Sequence, residues 1–266
     1  MSLHNLAYQG LFIERQYQKL PFGKKVYTDA FEFYNKVNLL KAGIIYSDVV
    51  ATVSPQYARE IQTREFGSGL EGVLQAHGES VIGILNGLDY NYWDPRRERY
   101  IEFNYSPDNP EHKANNKAFL QKKMKLPVKP RVPLFGFVGR LSHQKGLDLL
   151  SETMTQLLKL DIQLVFLGIG EEKYHKMLLS WAKQYPNKVA VQLAFDEEFS
   201  HEIYAGADLF LMPSVYEPCG LSQLISIRYG TIPVVFRVGG LADTVIPYDQ
   251  GGNGFVFTEY TKEGLL

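Results

Sequence analysis

The sequence is short of cysteine, of long apolar runs and of net charge, and each shortage excludes a class of protein. One cysteine, Cys219, among 266 residues rules out an internal disulfide. No run of about 18 apolar residues occurs, which argues against a membrane-spanning helix. The formal net charge of −1 gives no basic excess for nucleic acid and no polybasic patch for an anionic membrane. Residues 1–5 have neither the basic stretch nor the apolar core of an export signal, so we expect a cytoplasmic protein.

Common cofactor and metal signatures are missing too. The sequence contains neither a G-x-G-x-x-G with a distant acidic residue nor a G-x-x-x-x-G-K-[ST]. The six histidines stand singly, without the spacing of metal ligands. We therefore expect no metal and no cofactor, so any phosphate recognition has to come from local groups.

The second half of the chain alternates between short apolar runs and helical periodicity. With 45% hydrophobic residues, the chain can bury one large core or two modest ones. Strands that alternate with amphipathic helices predict βαβ units and a doubly wound parallel sheet, an α/β fold. The strands are predicted at residues 133–138, 163–167, 189–193, 208–212 and 232–236, and the helices near 147–158, 172–183, 198–204 and after Gly220.

The first half is less regular and has the pattern of the later part of an α/β domain. Its predicted elements are helices at residues 31–46 and 55–66 and strands at 47–54 and 81–85. Residues 106–132 are rich in Pro, Lys and Asn, with one helix near 115–124, and form the predicted linker. The predicted domains are therefore residues 1–125, which include most of the linker, and residues 126–266.

Ligands of an open α/β sheet bind at the carboxyl ends of its strands, so the strand-to-helix turns are the places to examine. In the turn at residues 139–146, Arg140 and Lys145 stand five apart and can close on a diphosphate from two sides. Arginine offers a planar fork of donors and lysine a point charge. Either both bind phosphate or both are ordinary surface cations beside a helix start, and this turn alone does not decide.

A second turn, at residues 213–221, places Glu217 near a helix N-terminus, where the helix dipole favours an ionised carboxylate. Such a carboxylate accepts hydrogen bonds from sugar hydroxyls, and Gly220 permits close approach of a ligand. The alternative is a helix cap for Glu217 and a packed thiol for Cys219, and for the cysteine the packed thiol is favoured.

A third turn contains Gly239 and Gly240, which either expose backbone amides to an anion or serve as ordinary turn residues. Three turns with phosphate- or sugar-binding groups at one sheet edge favour a sugar-nucleotide site over chance.

Segments along the whole chain resemble those of bacterial glycogen synthases and starch synthases. Any one of them is weakly specific, whereas the ordered set is highly specific. In order they are H-N-L-A-Y-Q-G at residues 4–10, K-A-G at 41–43, V-S-P at 53–55, Y-A-R-E-I at 57–61, N-G-L-D at 86–89 before Trp93, G-R-L at 139–141, Q-K-G-L-D at 144–148, P-S at 213–214, E-P-C-G-L at 217–221 and G-G-L-A-D-T-V at 239–245.

The resemblance implies two facing Rossmann-like domains of the GT-B type, with an incomplete N-terminal one. It also implies transfer of glucose from ADP-glucose to the non-reducing end of an α-1,4-glucan, with the anomeric configuration retained. Arg140 and Lys145 would hold the donor diphosphate, Glu217 would orient the glucosyl hydroxyls, His4 would contact the glucose, and Phe195 would lie against the base. The other substrate-binding positions that we expect are Asn86, Gly139, Cys219, Gly220, Leu221, Gly239 and Gly240.

Two features of the family are missing, a glycine-rich K-x-G-G-L segment before residue 1 and a C-terminal helix after residue 266. In addition, Ile225 stands where the wider superfamily has a second glutamate. We therefore expect a fragment truncated at both ends. Two alternatives remain: an inactive fragment that only binds nucleotide-sugar or glucan, and a related glycosyltransferase that uses UDP-sugars.

Overall fold

The computed structural model describes residues 1–17, 19 and 29–266, and the chain divides between Asn86 and Gly87 into two units. In the first unit, a parallel sheet has the order β1-β5-β6 and an antiparallel sheet the order β2-β4-β3. Its strands are β1 Ser2–Leu3, β2 Leu11–Phe12, β3 Glu32–Phe33, β4 Lys36–Asn38, β5 Val50–Thr52 and β6 Val81–Gly83. Its helices are α1 Glu14–Tyr17, α2 Leu39–Ile45, α3 Pro55–Glu60 and α4 Glu71–His77, followed by a 3₁₀ turn at Gly78–Ser80.

The helix predicted over residues 31–46 is wrong in its first half. Residues 32–38 form a β-hairpin, because Tyr34 and Asn35 take left-handed backbone angles (φ 50° and 61°) that turn the chain back on itself. Helix α2 then begins after Asn38, whose side chain accepts a hydrogen bond from the Lys41 amide at 2.9 Å.

The helix predicted over residues 55–66 starts as expected and ends early, at Glu60. Ser54 caps its first turn, and Pro55 occupies a position where no amide donor is needed. At the other end the Thr63 hydroxyl donates to the Glu60 carbonyl at 2.7 Å, which replaces the bond that a further helical turn would supply.

The second unit contains the predicted doubly wound sheet, six parallel strands in the order β9-β8-β7-β10-β11-β12. Its strands are β7 Leu134–Val138, β8 Gln163–Leu167, β9 Val189–Gln192, β10 Leu209–Met212, β11 Ile232–Phe236 and β12 Phe255–Phe257. Its helices are α5 Glu111–Lys123, α6 Leu147–Leu157, α7 Glu172–Gln184, α8 Glu197–Gly206, α9 Ser222–Arg228, α10 Gly239–Thr244 and α11 Lys262–Leu265, with 3₁₀ turns at His143–Lys145 and Tyr248–Gln250.

The core of this unit follows from the two periodicities of the sequence. Every residue of β8 is buried, as expected for a strand with both faces covered. On one face of helix α6, Leu147, Leu150 and Met154 are buried. They pack in the same hydrophobic cluster as Phe137 and Phe166 of the sheet.

The helix predicted near residues 115–124 of the linker is present as α5, which begins four residues earlier, at Glu111. Helix α5 packs against α8 within the second unit. Its Lys117 ammonium lies 2.6 Å from the Asp208 carboxylate and donates to the carbonyls of Pro130 and Val132. Polar side chains of α5 are thus buried against partners that its composition does not show.

The division at residues 86/87 places residues 87–125 with the second unit, whereas our predicted boundary falls at 125/126. The reason is the packing of α5 just described. Compactness alone does not define a functional domain, so the predicted boundary stays a prediction.

Candidate functional site

The strand order of the second unit reverses between β7 and β10. From β7 the chain continues to β8 and β9 on one side, and from β10 it continues to β11 and β12 on the other. The turns that follow two such neighbouring strands open a crevice at their carboxyl ends, which is where ligands of this architecture bind. Residues 139–146 follow β7 and residues 213–221 follow β10, so two of the three predicted turns meet at this point.

These two turns are bonded to one another. Gly146 has a left-handed backbone (φ 74°), and a Cβ there would collide with the Pro213 carbonyl oxygen. The Val215 amide donates to the Gln144 carbonyl at 2.9 Å. Only glycine allows this close approach, which brings the functional side chains of both turns together.

Lys145 and Glu217 form an ion pair across the two turns. The Lys145 Nζ lies 2.5 Å from Glu217 Oε2, and the Ser214 hydroxyl donates to the same oxygen at 3.1 Å. Glu217 is 6% exposed and the Lys145 side chain 23%. A half-buried ammonium beside a buried carboxylate is suited to a ligand with both phosphate and hydroxyl groups.

The third turn touches the second through its backbone. The Gly240 amide donates to the Glu217 carbonyl at 3.0 Å, and a Cβ on Gly240 would collide with the Cys219 carbonyl. Gly239, Gly240 and Cys219 are all buried. The Gly240 amide thus donates within the protein, which favours the ordinary turn role of the two alternatives, and a place for Gly240 in the site stays a prediction. The buried Cys219 agrees with the packed thiol.

A cavity of about 520 Å³ opens beside the first of these turns. Gly139, Arg140 and Phe195 are among its lining residues, together with Trp93, Glu197 and Tyr204. Phe195 is 87% exposed, so its ring is available for stacking. Gly139 lines the cavity and also lies next to the ion pair, since a Cβ added to it would be 3.9 Å from Lys145 Cε.

The other predicted site residues lie at different places. Gly220 has a left-handed backbone (φ 70°) and Leu221 is exposed, both at the start of α9. His4 and Asn86 belong to the first unit. There, His4 is exposed and lies 3.2 Å from the Ser2 hydroxyl, while Asn86 is half-buried at the unit's last residue.

A buried cluster behind the cavity escaped the sequence analysis. The Trp93 ring, which lines the cavity, stacks on His201 with centroids 4.1 Å apart. His201 Nδ1 and the Tyr229 hydroxyl each donate to Glu98 Oε2 at 2.5 Å. Burial acts to raise the pKa of Glu98, but these hydrogen bonds outweigh it and the pKa lies below its usual value. No local pattern links residues so far apart in sequence.

An acidic residue next to Trp93 fixes this segment to the sheet domain. Asp94 is buried, and the hydrogen bond from Arg96 lowers its pKa. Arg228 of α9 reaches the same carboxylate at 3.0 Å and donates to the Trp93 carbonyl. Trp93 is thereby fixed at two places, its carbonyl by Arg228 and its ring by stacking on His201.

Among residues 1–17, 19 and 29–266, no three His, Cys, Asp or Glu side chains group so as to hold a metal ion. Within the same ranges, no helix has the length and apolar character needed to cross a membrane.

A parallel sheet whose switch-point crevice holds a basic turn and a paired carboxylate defines an α/β protein of the open-sheet class, in which ligands bind at that crevice. Two protein-family models match the chain and define its class more narrowly. The model described as "Glycosyl transferases group 1" matches residues 119–266, and the one described as "Starch synthase catalytic domain" matches residues 1–76. The chain belongs to the glycosyl transferases group 1 family.

Individual proteins show the same relationship. A glycogen synthase of Thermosipho melanesiensis is 47% identical over 100% of this chain and 56% of its own length. One from Desulforudis audaxviator is 49% identical over 99% of this chain and 53% of its own. The chain thus spans about half the length of the curated relatives it matches.

Solved structures confirm the predicted GT-B fold class. The catalytic domain of starch synthase IV from Arabidopsis thaliana, bound to ADP and acarbose, superimposes with a TM-score of 0.91 at 34% identity. The match covers 99% of this chain and 57% of that domain. The predicted resemblance to glycogen and starch synthases is confirmed as well.

Proposed function

We propose that the protein is a retaining glucosyltransferase that moves glucose from ADP-glucose to the non-reducing end of an α-1,4-glucan. The observation that carries the proposal is the Lys145–Glu217 pair at the switch-point crevice, 2.5 Å between Nζ and Oε2. The names of the similar proteins, glycogen synthase and starch synthase, support the choice of reaction.

In this proposal the donor diphosphate lies between Arg140 and Lys145. As the bond between the glucosyl C1 and the diphosphate oxygen breaks, the two cations stabilise the charge that develops on the leaving group. The acceptor hydroxyl bonds to C1 on the same face, and its proton passes to a phosphate oxygen of the donor. No second carboxylate acting as nucleophile is needed for that step.

The remaining assignments concern residues of the second unit. Glu217 accepts hydrogen bonds from the glucosyl hydroxyls, next to Cys219, Gly220 and Leu221. Phe195 stacks on the nucleotide base at the mouth of the cavity that Gly139 and Arg140 line. Contacts of His4 and Asn86 with the substrate, and a place for Gly239 in the site, stay predictions, as does a cytoplasmic location.

Incorporation of labelled glucose from ADP-glucose into glycogen tests the reaction. We expect incorporation by the unchanged chain and a loss of about 100-fold or more in Lys145→Ala, the size found for a lost charge-stabilising donor. Glu217→Ala should also lower incorporation strongly, because it removes the acceptor for the glucosyl hydroxyls. The matched control is the surface pair of Lys176 and Glu172, 2.7 Å apart, whose alanine variants should keep full activity.

Three other outcomes would each contradict a different part of the proposal. Normal turnover in Lys145→Ala or Glu217→Ala would remove those assignments. A faster rate with UDP-glucose than with ADP-glucose would point to a different donor. Binding of ADP without any transfer would leave a protein that only binds the nucleotide.

A further inference from the structure

Gln223 lies directly beneath the turn that carries Glu217. It belongs to α9 and is fully buried. Its amide nitrogen lies 3.0 Å from three acceptors, which are the carbonyls of Cys219 and Gly220 and the hydroxyl of Thr244. One side chain thus joins the second turn of the site to the end of α10.

The orientation of this amide follows from its partners. Backbone carbonyls can only accept, so the nitrogen of Gln223 has to face Cys219 and Gly220. The Thr244 hydroxyl gives its proton to the Gly240 carbonyl at 2.6 Å, so it also accepts from Gln223, whose two N–H groups are shared among the three acceptors. The Gly240 amide in turn donates to the Glu217 carbonyl, and the chain of bonds ends at the residue we assign to the glucosyl group.

The other half of the same amide is not satisfied. The Gln223 oxygen is buried and has no hydrogen-bond partner among the described residues. It faces Gly220, where a Cβ would collide with it. A buried acceptor without a partner weakens folding, so the stability of the chain alone does not explain this residue. What the residue does secure is the path of the backbone from Glu217 to Gly220.

We propose that Gln223 is a positioning residue for the glucosyl group of the donor. It acts through the backbone of residues 217–220, which sets where the Glu217 carboxylate points. The inference rests on the proposed function, and it separates the glucosyl part of the donor from the nucleotide part, which Arg140, Lys145 and Phe195 bind.

The test compares the binding of ADP and ADP-glucose to the 266-residue chain by titration calorimetry. In Gln223→Met, which keeps the volume and removes the donor, we expect the affinity for ADP-glucose to fall about tenfold or more, as for one lost hydrogen bond to a charged group. The affinity for ADP should stay within about threefold.

A matched control is Gln163→Met. Gln163 is equally buried, but it donates to the Pro127 carbonyl, and it lies at the amino end of β8, the opposite edge of the sheet. This variant should leave both affinities within about threefold of the unchanged chain.

A second pair of variants keeps the test decisive if Gln223→Met is unstable. Thr244→Ser keeps the hydroxyl that links Gln223 to Gly240 and should bind ADP-glucose like the unchanged chain. Thr244→Val removes it and should weaken ADP-glucose selectively. Equal weakening of both nucleotides, or no weakening of either, would overturn the positioning role. Failure of the unchanged chain to bind ADP-glucose would overturn the proposed function and this inference together.

Discussion

Lys145 contributes both to the folded state and to the proposed reaction. With 6% of Glu217 exposed, its charge is held away from water and needs the ammonium at 2.5 Å. Lys145 keeps 23% exposure, so the same ammonium can also reach a ligand in the crevice. A diphosphate would then share the cation, and the carboxylate would turn part of its hydrogen-bonding capacity towards sugar hydroxyls.

Glu98 offers a test of the buried cluster behind Trp93. Its pKa is lowered in the folded state, so its contribution to stability is present above the unfolded value of about 4.3 and is lost as the pH falls through the lower folded pKa. We expect Glu98→Gln to reduce the free energy of unfolding by about 1–2 kcal/mol at pH 7. It should also flatten the decline in stability below about pH 4.3.

Urea unfolding between pH 3 and 7 measures this effect. The control is Glu172→Gln, since Glu172 is 78% exposed and makes only a surface pair with Lys176. Curves of stability against pH that run parallel in Glu98→Gln and the unchanged chain would show that Glu98 does not titrate as described.

At the level of elements, the contact between the turns after β7 and β10 depends on Gly146. A side chain there has to take φ 74° and also displace the Pro213 carbonyl. The left-handed backbone alone costs about 1–2 kcal/mol for an L-residue. We therefore expect Gly146→Ala to lower the free energy of unfolding by more than that amount and to weaken ADP binding.

The control is Gly87→Ala, in the same unit, where an added Cβ meets nothing within 4 Å. It should change the stability by less than about 0.5 kcal/mol. The stability of both variants is measured by urea unfolding, and their ADP affinity by calorimetric titration. A stable Gly146→Ala variant with unchanged ADP affinity would mean that the two turns tolerate separation.

How far the sequence predicts these elements depends on their length and surroundings. Strands β8 and β11 are predicted at their observed bounds, because a short, mostly apolar run between two helical segments is typical of a buried parallel strand. The hairpin of β3 and β4 is missed, since strands of two or three residues have no measurable period. Helix α5 is assigned to a linker because its buried Asn116, Lys117 and Gln121 look like surface residues until their partners are known.

The candidate site likewise contains residues that the sequence predicts and residues that it does not. The turns with Arg140, Lys145 and Glu217 are recognisable because each follows an apolar strand and holds groups suited to a known chemistry. Trp93, Glu98 and His201 come together only through the tertiary fold. The contacts of the Gln223 amide depend on backbone positions that residue identities do not report.

For the whole molecule, the two possible domain boundaries give opposite expectations. A piece beginning at residue 87 keeps α5 and the Trp93 segment, whereas one beginning at residue 126 loses both. Loss of α5 removes the fully buried Leu120 and leaves Asp208 without the Lys117 ammonium at 2.6 Å. Loss of the Leu120 contacts alone should cost about 1.5–3 kcal/mol of folding free energy, and the Asp208 side chain, which is 39% exposed, adds little to that cost.

We therefore expect residues 87–266 to unfold cooperatively in urea and to bind ADP within about threefold of the whole chain, because all the nucleotide contacts we assign lie in that unit. Residues 126–266 should be less stable by that margin and should bind ADP more weakly, since the cavity loses the Trp93 ring that covers one wall. Equal stability and equal ADP affinity in the two pieces would instead support a boundary at residues 125/126. In that case the packing of α5 on α8 would be a contact between domains and not part of the core that holds the site together.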